Sequence, residues 1–549
     1  MEKTFILSGQ IVDVVSGSIF PGKIEITEGK ISSVTTCTVP EKQYILPGLI
    51  DAHVHIESSM LVPAEFARLA VVHGTTATVS DPHEIANVLG MEGVDFMIGN
   101  GNLTPFKFHF GAPSCVPATG FESSGAVISA SEIGQLLQRD DIYYLSEMMN
   151  FPGVIFGDAE VHQKLAWAAT YNKPVDGHAP GLDSDSIKKY AAAGISTDHE
   201  CTSLTEAIEK IDAGMHILIR EGSAARNFDA LVPLLGTHPE KVMFCSDDKH
   251  PDDLVAGHIN LLVKRALLAG YDPMAVIRAC TLNPVRHYKL GCGLLQPGDA
   301  ADIAIVDDLS AFLVRETYID GVLTASEGKT LLPSAGYASP NRFLAPKTGI
   351  EDLTVEEGAG KLKVIRAFDG DLVTEKFLTY ALVKDGKVVS DVQNDILKIT
   401  VINRYQPSRP AVAFIQGFGL RCGAMASTVA HDSHNIICVG TNDADMVSVI
   451  NSLVANKGGV AVTDGLNLDV LPLPVAGLMS GMDGYGVAVA YEAINKKALA
   501  LGGSLRAPFM TLSFMALLVI PELKLSDKGL FDGSLFAFTD LFESETESN

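Results

Sequence analysis

Six residues of metal-binding types follow short apolar runs in the first half of the chain. They are His53, His55, Glu147, His178, His199 and Asp247. Residues i and i+2 of a β-strand point to the same face, so His53 and His55 of "LIDAHVHIESSM" (49–60) can converge on one point. Four imidazoles and two carboxylates can hold two divalent cations, with one carboxylate shared between them. Each residue alone could be a polar rim or a backbone cap, but their recurrence predicts a metal centre.

The elements that must position these residues form a repeating pattern. Eight apolar or β-branched runs alternate with helical stretches and start at residues 49, 75, 106, 142, 173, 194, 216 and 241. Eight units of one strand plus one helix predict a (β/α)8 barrel of the TIM type, whose catalytic residues lie at the carboxyl ends of the strands. The six residues fall at such ends. A doubly wound open sheet is the alternative, because spacing does not show closure.

Short strands with tight turns flank the predicted barrel on both sides. Residues 1–48 and 286–335 predict one small β-sandwich built from both flanks of a barrel that spans 49–285. Residues 340–549 combine strands such as "LKITVINRY" with the amphipathic helix "DADMVSVINSLVANKG" and predict a C-terminal α/β domain. The whole chain is therefore expected to belong to the α/β class.

The bulk composition restricts the partners. The chain carries 41 Lys and Arg against 66 Asp and Glu, a formal charge of −25, and such a field repels the phosphate backbone of nucleic acid. Its eight cysteines include no CxxC pair, and its first residues do not resemble a signal peptide. The longest apolar stretch, 507–521, is short for a bilayer span. A cytoplasmic protein with no nucleic-acid or membrane partner is therefore expected.

Longer motifs surround the candidate residues. They are "PGLIDAHVHIESSM" (47–60), "HGTTATVSDPHEIANVLG" (73–90), "EMMNFPGV" (147–154), "DGHAPGL" (176–182), "REGSAARN" (220–227), "CSDDKHPDDL" (245–254) and "STVAHDSHNIICVG" (427–440). Together they resemble the amidohydrolase superfamily of metal-dependent hydrolases and, within it, the bacterial adenine deaminases. The resemblance implies hydrolysis of adenine to hypoxanthine and ammonia in purine salvage, with two divalent metal ions per chain. Manganese is the favoured metal, with iron or zinc as alternatives. A homo-oligomer is expected, and a homodimer is favoured.

The resemblance also implies how the ligands divide between the two metal ions. One ion is held by His53, His55 and Asp247, and the other by His178 and His199. Many binuclear members of the superfamily bridge their metals with a carboxylated lysine on strand four. This chain has Ser146–Glu147–Met148 there instead, so Glu147 is the predicted bridge.

Catalysis on a purine needs proton transfer beside the activated water. Asp247 is predicted to carry the proton from the water to the departing amine, with Glu147 as its neighbour in the catalytic group. A carboxyl group that protonates a ring nitrogen is also expected. Glu221 and Asp248 both remain candidates for that role.

Further polar residues near the rim are candidates for binding the substrate. They are His83, Glu84, Arg220, His250, His431 and His434. Arg220 has an internal ion pair as its alternative, and Asp81, two residues before His83, suits a helix N-cap. His431 and His434 belong to "AHDSHN" (430–435), which lies outside the barrel and forms either a self-satisfied turn or a cover over the barrel mouth. We predict the cover.

Two other functions remain open from the sequence. Ring opening of a cyclic amide, such as a hydantoin or dihydroorotate, uses the same kind of activated water. A barrel without activity could also serve as an assembly scaffold. A scaffold does not need its metal ligands, so the presence of all six favours an enzyme, and ammonia release from adenine separates the two hydrolases.

Overall fold

The computed structural model describes residues 4–543, and the chain begins with four strands beside the barrel. They are β1 (Thr4–Asp13), β2 (Ser18–Thr27), β3 (Lys30–Thr36) and β4 (Tyr44–Pro47). The first three form an antiparallel meander, and β4 runs parallel to β1. Ile11, Ile24 and Ile26 alternate with outward residues and give this sheet its own apolar core.

Eight parallel strands follow and form the barrel. They are β5 (Leu49–Val54), β6 (Thr75–Ser80), β7 (Lys107–Ala112), β8 (Ile142–Met148), β9 (Val175–Gly177), β10 (Thr197–Asp198), β11 (His216–Arg220) and β12 (Val242–Cys245). Strands β5 to β9 pair in order, as do β10 to β12. Parallel bridges between Val175 and Ile195 and between Val54 and Asp247 join the two groups into a closed ring. The predicted barrel is confirmed, and the open-sheet alternative is excluded.

Helices connect the barrel strands and continue beyond the last of them. They are α1 (Pro63–Ala70), α2 (His83–Leu89), α3 (Met91–Gly101), α4 (Ala130–Leu137), α5 (Phe151–Phe156), α6 (Ala159–Thr170), α7 (Ser184–Ala192), α8 (Leu204–Asp212), α9 (Phe228–Leu231), α10 (Leu234–Thr237), α11 (Pro251–Ala256), α12 (Ile259–Leu268), α13 (Pro273–Ala279) and α14 (Leu282–Tyr288). Short 3₁₀ turns occupy Ile56–Ser59, Val71–His73 and Pro239–Lys241. Ser129 and Glu132 form a reciprocal capping box on α4, and Asp183 and Ser203 cap α7 and α8. These caps fix where the loops of the barrel rim end.

The chain then returns to the first sheet. Strands β13 (Ile303–Val306), β14 (Val314–Ile319), β15 (Val322–Ser326) and β16 (Lys329–Thr330) extend it. Because β13 pairs with β4, one eight-stranded sheet runs in the order β16-β15-β14-β13-β4-β1-β2-β3. Both flanks of the barrel therefore contribute strands to this sheet.

The last part of the chain is built on a nine-stranded sheet with two small sheets beside it. Its strands are β17 (Lys361–Arg366), β18 (Glu375–Thr379), β19 (Val383–Lys384), β20 (Lys387–Val388), β21 (Leu397–Ile402), β22 (Ala411–Gln416), β23 (Ala424–Ser427), β24 (Ile436–Gly440), β25 (Gly459–Thr463), β26 (Leu468–Pro472), β27 (Leu523–Ser526), β28 (Gly529–Asp532), β29 (Ala537–Phe538) and β30 (Phe542–Glu543). Its helices are α15 (Asp443–Asn456), α16 (Gly484–Ala500) and α17 (Pro508–Phe514), with 3₁₀ turns at Ile350–Leu353 and Val392–Asn394. The predicted amphipathic helix is α15. It ends at Asn456, and Lys457 follows in a left-handed conformation before Gly458.

The C-terminal part packs directly on the barrel. One continuous apolar core includes Phe66 from the barrel region together with Tyr491 and Leu512 from the C-terminal part. Main-chain hydrogen bonds cross between the two: Val62 donates to Ser480 at 3.2 Å, and Ser480 donates to Met60 at 2.8 Å. The C-terminal segments at the barrel mouth are therefore held by packing and by backbone pairing. Within residues 4–543, no helix has the length and apolar character needed to cross a bilayer.

Candidate metal centre

The carboxyl ends of the barrel strands bring the six predicted ligand residues into one buried cluster. They extend from β5, β8, β9, β10 and β12, and none is more than 7% exposed. This is the edge at which parallel barrels carry their catalytic groups. The six residues span almost 200 positions of the sequence, and the fold brings them into a single site.

Glu147 stands between two groups of histidines. Its Oε1 lies 3.2 Å from His55 Nε2. Its Oε2 lies 2.7 Å from His178 Nδ1 and 3.2 Å from His199 Nε2. Each carboxylate oxygen thus faces a different set of imidazoles, an arrangement suited to joining two cations.

Asp247 completes the first group of histidines. Its Oδ1 lies 3.3 Å from His55 Nε2 and 3.6 Å from His53 Nε2, while Arg220 donates to its Oδ2 at 2.7 Å. The backbone of Asp247 is left-handed (φ 55°), a conformation that Asp adopts more readily than most residues. The Asp247 N–H donates to the His53 carbonyl at 3.0 Å, which fixes the aspartate beside the histidines of β5.

Glu200 is a member of the cluster that the sequence analysis did not single out. Its Oε1 lies 3.4 Å from His199 Nε2 and 3.6 Å from His178 Nδ1. Arg220 donates to both of its oxygens and to Asp247, so Arg220 forms the internal ion pair that was its alternative role. The available signal was its position directly after His199 in "STDHE".

The charges of the cluster compensate one another. Burial raises the pKa of Glu147 and of Asp247, but His178 beside the first and Arg220 beside the second outweigh burial and hold both values well below the usual range. Burial lowers the pKa of His178, yet Glu200 and Glu147 together raise it to about 9. The carboxylates are therefore ionised, and they favour positive charge at the centre.

The imidazole nitrogens and carboxylate oxygens of this cluster are placed so that they can bind divalent cations. His53 Nε2 and His55 Nε2 face each other at 3.2 Å, and His178 Nε2 is buried without a hydrogen-bond partner. Several sets of His and carboxylate atoms here lie within 4.8 Å of one another. Imidazole nitrogens with carboxylate oxygens are a donor set that suits manganese, iron or zinc. The residues present therefore fit divalent metal ions, with Glu147 between the two halves of the cluster.

A second buried group forms a wall beside the cluster. Glu84 Oε1 lies 3.0 Å from His431 Nδ1, and Ser58 Oγ lies 3.2 Å from Glu84 Oε1 and 2.5 Å from Asp248 Oδ1. Burial and the neighbouring Asp247 raise the pKa of Asp248. Burial lowers the pKa of His431, but Glu84 and Asp248 raise it to about 9. This wall offers hydrogen-bond donors and acceptors to the same cavity.

The turn "AHDSHN" lies against the mouth of its own barrel. His431 lines the cavity and stacks on Phe514, with ring centroids 4.6 Å apart. Asp432 Oδ1 lies 3.7 Å from His83 Nε2, and Asp81 Oδ2 lies 3.2 Å from His83 Nδ1. The turn therefore has the covering position that the sequence predicts, and Asp81 supports His83.

Glu221 is not brought into the cavity. Its Oε1 pairs with Arg265 at 2.7 Å, away from the metal-binding residues. Adjacent residues of an extended segment face opposite sides, and Arg220 takes the inward one. The suggestion that Glu221 protonates the substrate is therefore corrected, and Asp248 is the candidate that the structure places beside the cluster.

His250 and His434 also lie outside the cavity lining. His250 Nδ1 is 2.7 Å from the hydroxyl of Tyr491 on α16, so it links the barrel rim to the C-terminal part. His434 Nε2 is 3.8 Å from Glu84 and its ring stands beside that of His431. Neither residue lines the cavity, so neither makes the direct substrate contact predicted for it. His434 instead donates its N–H to the carbonyl of Ala430 at 2.7 Å and so holds the turn that covers the mouth.

The cavity above the cluster is small and has an apolar roof. Its volume is about 30 Å³, enough for about two water molecules. The roof consists of Met149 from the barrel and of Leu372, Phe514 and Leu517 from the C-terminal part. Apolar cover of this kind keeps bulk water away from reacting groups.

Comparisons with known proteins identify the families whose sequences resemble this chain. Residues 44–324 match the model of the amidohydrolase family, and residues 371–537 match that of the adenine deaminase C-terminal domain. An adenine deaminase of Salinibacter ruber is 52% identical over 99% of this chain and 100% of its own. Those of Methanosarcina mazei and Borreliella burgdorferi are 52% and 46% identical, each over 98% of this chain and 99% of their own. The resemblance that the motifs indicate is confirmed along nearly the whole chain.

Proposed function

Because this chain belongs to the adenine deaminases of the amidohydrolase family, we propose that its buried centre hydrolyses adenine to hypoxanthine and ammonia. The observation that carries the proposal is the position of Glu147, whose two oxygens face separate histidine groups beside Asp247. The relatives named for this reaction match the C-terminal part as well as the barrel, and that part roofs the cavity.

Two divalent cations are proposed at this centre. His53, His55 and Asp247 would hold one, His178 and His199 the other, and Glu147 would contact both. When bound, the ions act as Lewis acids that make a water molecule a stronger nucleophile. We propose manganese as the native metal, since mixed imidazole and carboxylate ligands without thiolate suit it, although iron and zinc share that preference.

Asp247 is proposed to move the protons. It accepts a proton from the attacking water and passes it to the amino nitrogen of the substrate. The water oxygen bonds to C6 of the purine, and the C6–N bond breaks as the protonated amine departs as ammonia. The proton that remains on the new hydroxyl passes to the carboxylate that gave its own proton to the ring nitrogen, which leaves the ring carbonyl of hypoxanthine. Arg220 holds Asp247 Oδ2 at 2.7 Å and so keeps Oδ1 on the histidine side, which makes Arg220 a positioning residue.

Asp248 is proposed to donate a proton to a ring nitrogen of adenine. Protonation there draws electron density from C6 and favours attack by water. Asp248 lines the cavity and is held by Ser58 at 2.5 Å. His83, Glu84, His431 and Asp432 also line the cavity, where they can contact the edge of the purine.

Ammonia release by the purified, manganese-loaded protein tests the proposal. We expect release from adenine and none from adenosine, guanine or cytosine, with about two metal ions per chain. Glu147→Gln should lower the metal content, while Glu240→Gln, at an exposed position far from the cluster, should not. Ring opening of hydantoin or dihydroorotate without activity on adenine would overturn the proposal in favour of the cyclic-amide reaction.

The cellular setting is also proposed. All eight cysteines are unpaired, which is usual for proteins of reducing compartments. We infer a cytoplasmic enzyme of purine salvage that acts as a homodimer. Sedimentation of the metal-loaded protein tests the dimer.

A further inference from the structure

A second, much larger cavity adjoins the catalytic cavity. It lies between the barrel and the C-terminal part. The barrel contributes residues 116–121, 127, 128 and 149–152 together with Glu160 and Lys164, and the C-terminal part contributes Val519 and Phe536. Its volume is about 490 Å³, within the range of about 300–1,000 Å³ that is typical of small-molecule sites. The catalytic cavity, at about 30 Å³, does not hold a fused-ring purine with the side chains as they stand. We call the larger space the access chamber.

A thin partition separates the access chamber from the catalytic cavity. Met149 lines both spaces. Leu517 lines the catalytic cavity, and Val519, two residues later, lines the access chamber. Methionine is unbranched and rotates about three side-chain bonds, so Met149 can change position at low cost.

The other end of the access chamber faces solvent. Val127 is 70% exposed and Phe536 is 52% exposed, whereas Val116 and Ile128 in the same lining are almost completely buried. The chamber therefore leads from the protein surface to the partition at Met149.

The walls of the access chamber are held by a defined network of hydrogen bonds. Lys164, which is 8% exposed, donates to the carbonyls of Ser114 at 2.8 Å and Ile128 at 3.1 Å. Ser114 Oγ donates in turn to the carbonyl of Glu147 at 2.5 Å. The chamber wall is thus attached to the strand that carries the predicted bridging carboxylate.

The chemistry of the lining favours an uncharged ligand. The two charged residues of the lining, Lys164 and Glu160, are opposite in sign, and each is bound to backbone groups of the wall: Lys164 to carbonyls and Glu160 to the N–H of Ala130 at 2.5 Å. The rest of the lining is mainly apolar and includes Phe121 and Phe151. Aromatic walls of this kind suit a flat heterocycle.

We propose that the access chamber is the route by which a neutral, planar nitrogen heterocycle reaches the metal centre, and that Met149 is its gate. The inference rests on the proposed function, whose substrate is such a heterocycle. Rotation of the Met149 side chain joins the two volumes, and its return closes the roof over the bound ring.

The experiment places labels of increasing size at the outer end of the chamber. Val127→Cys is made in the full, metal-loaded chain with Cys37→Ser and Cys422→Ser, because these two cysteines are not buried. It is treated with a methyl, a benzyl and a fluorescein thiol reagent. We expect kcat/KM for adenine to fall with label size, by about tenfold or more for the largest, because association is obstructed. Leu103→Cys, exposed but outside the chamber lining, carries the same labels as the matched control and should keep its activity.

A second pair of variants tests the gate. The rigid ring of Met149→Phe should lower kcat/KM for adenine while the metal content stays unchanged. Leu103→Phe, exposed and outside both cavity linings, is the matched control and should retain kcat/KM. Equal activity of all labelled forms, or of Met149→Phe and the original chain, would overturn the inference while leaving the proposed function intact.

A third readout separates the two proposals if the unlabelled protein shows no activity on adenine. The rate at which 1,10-phenanthroline, an uncharged planar aromatic chelator, removes the metal ions is then compared between labelled and unlabelled Val127→Cys. Slower removal from the labelled form supports the access route even though the proposed function has failed. Equal rates overturn it.

Discussion

Asp247 divides its two carboxylate oxygens between different partners. Oδ2 is held by Arg220 at 2.7 Å, and Oδ1 faces His55 at 3.3 Å. Arg220 in turn donates to Glu200, so the orientation of Asp247 depends on a buried ion-pair network of three residues. A carboxylate held in this way can accept a proton on one oxygen without turning.

Asp247→Asn should therefore remove most adenine turnover while the protein remains folded. The amide cannot accept the proton, and general base catalysis alone is worth about 10²–10⁴-fold in rate. Steady-state ammonia release, metal content and circular dichroism measure the effect. Asp229→Asn, at an exposed aspartate that pairs with Arg265, is the control. Near-normal turnover by Asp247→Asn with normal metal content would show that Asp247 serves only as a ligand.

His431 lies where the C-terminal turn meets the barrel wall, between Glu84 at 3.0 Å and the ring of Phe514. His431→Ala should raise KM for adenine by about 10–100-fold, the value of one hydrogen bond to a charged group. The two metal ions should stay bound, because His431 contacts none of the six predicted ligands. His238→Ala, at a histidine whose ring lies 2.9 Å from the hydroxyl of its neighbour Thr237, should leave KM unchanged. A loss of metal in His431→Ala would instead place this histidine in the metal site.

Sequence reasoning could place the six ligand residues because each follows a recognisable strand, and strand ends of a barrel meet at one rim. It could not separate Glu221 from Glu200, since both follow such strands. Their difference depends on which of two adjacent side chains faces inward. At β11 the inward position belongs to Arg220, and Arg220 then binds Glu200.

At the scale of the element, the strand ends are fixed by residues that do not face the cavity. Asp198 of β10 accepts the N–H groups of Ala179 at 3.0 Å and Glu200 at 2.8 Å, next to His178 and His199. Lys210 on α8 pairs with Asp198 at 3.0 Å and donates to the carbonyl of Ala179 at 2.7 Å. One helix thus fixes the ends of two strands.

One buried lysine holds two residues of the cavity roof. Lys524 on β27 donates to the carbonyls of Leu372 at 2.7 Å and Phe514 at 3.1 Å, and both of those residues line the catalytic cavity. Burial lowers the pKa of Lys524 from 10.5 to about 7. Between these two values the unfolded chain binds a proton that the folded chain does not, so folding becomes more favourable as the pH rises.

Lys524→Met should therefore flatten the pH dependence of stability. From pH 7 to pH 9 the free energy of unfolding of the original chain should rise relative to that of the variant, by at most about 1.4 kcal/mol per pH unit. Urea denaturation at several pH values measures the difference. Lys496→Met, at an exposed lysine that pairs with Glu492, is the control and should run parallel to the original chain. Parallel curves for Lys524→Met would mean that Lys524 is charged in the folded protein.

The roof also marks the limit of prediction at this scale. The eight barrel strands and the helix α15 could be predicted because their patterns are local. Leu372, Phe514 and Leu517 reach the barrel mouth from more than 200 residues beyond Met149, and no periodicity within their own segments signals that contact. This contact depends on how the C-terminal part packs on the barrel, which a local sequence pattern does not encode.

At the scale of the whole molecule, the barrel and the C-terminal part share one apolar core and one site. His431 and Asp432 of the C-terminal turn line the same cavity as Glu147 and Asp247 of the barrel. Phe66 and Tyr491 belong to the same continuous core. Neither part can unfold without exposing apolar surface of the other, so the two parts are expected to unfold together.

Metal removal should therefore destabilise the whole chain as one unit. A ligand that binds only the folded state stabilises it by about 2.7 kcal/mol when its concentration is a hundred times the dissociation constant. Scanning calorimetry of the protein with manganese and after dipicolinate treatment should show one transition that moves to lower temperature on chelation and returns when manganese is restored. The transition temperature of Asp247→Asn, whose metal site is weakened, should change less on chelation. Two transitions, of which only one responds to manganese, would show that the C-terminal part folds independently of the centre that it covers.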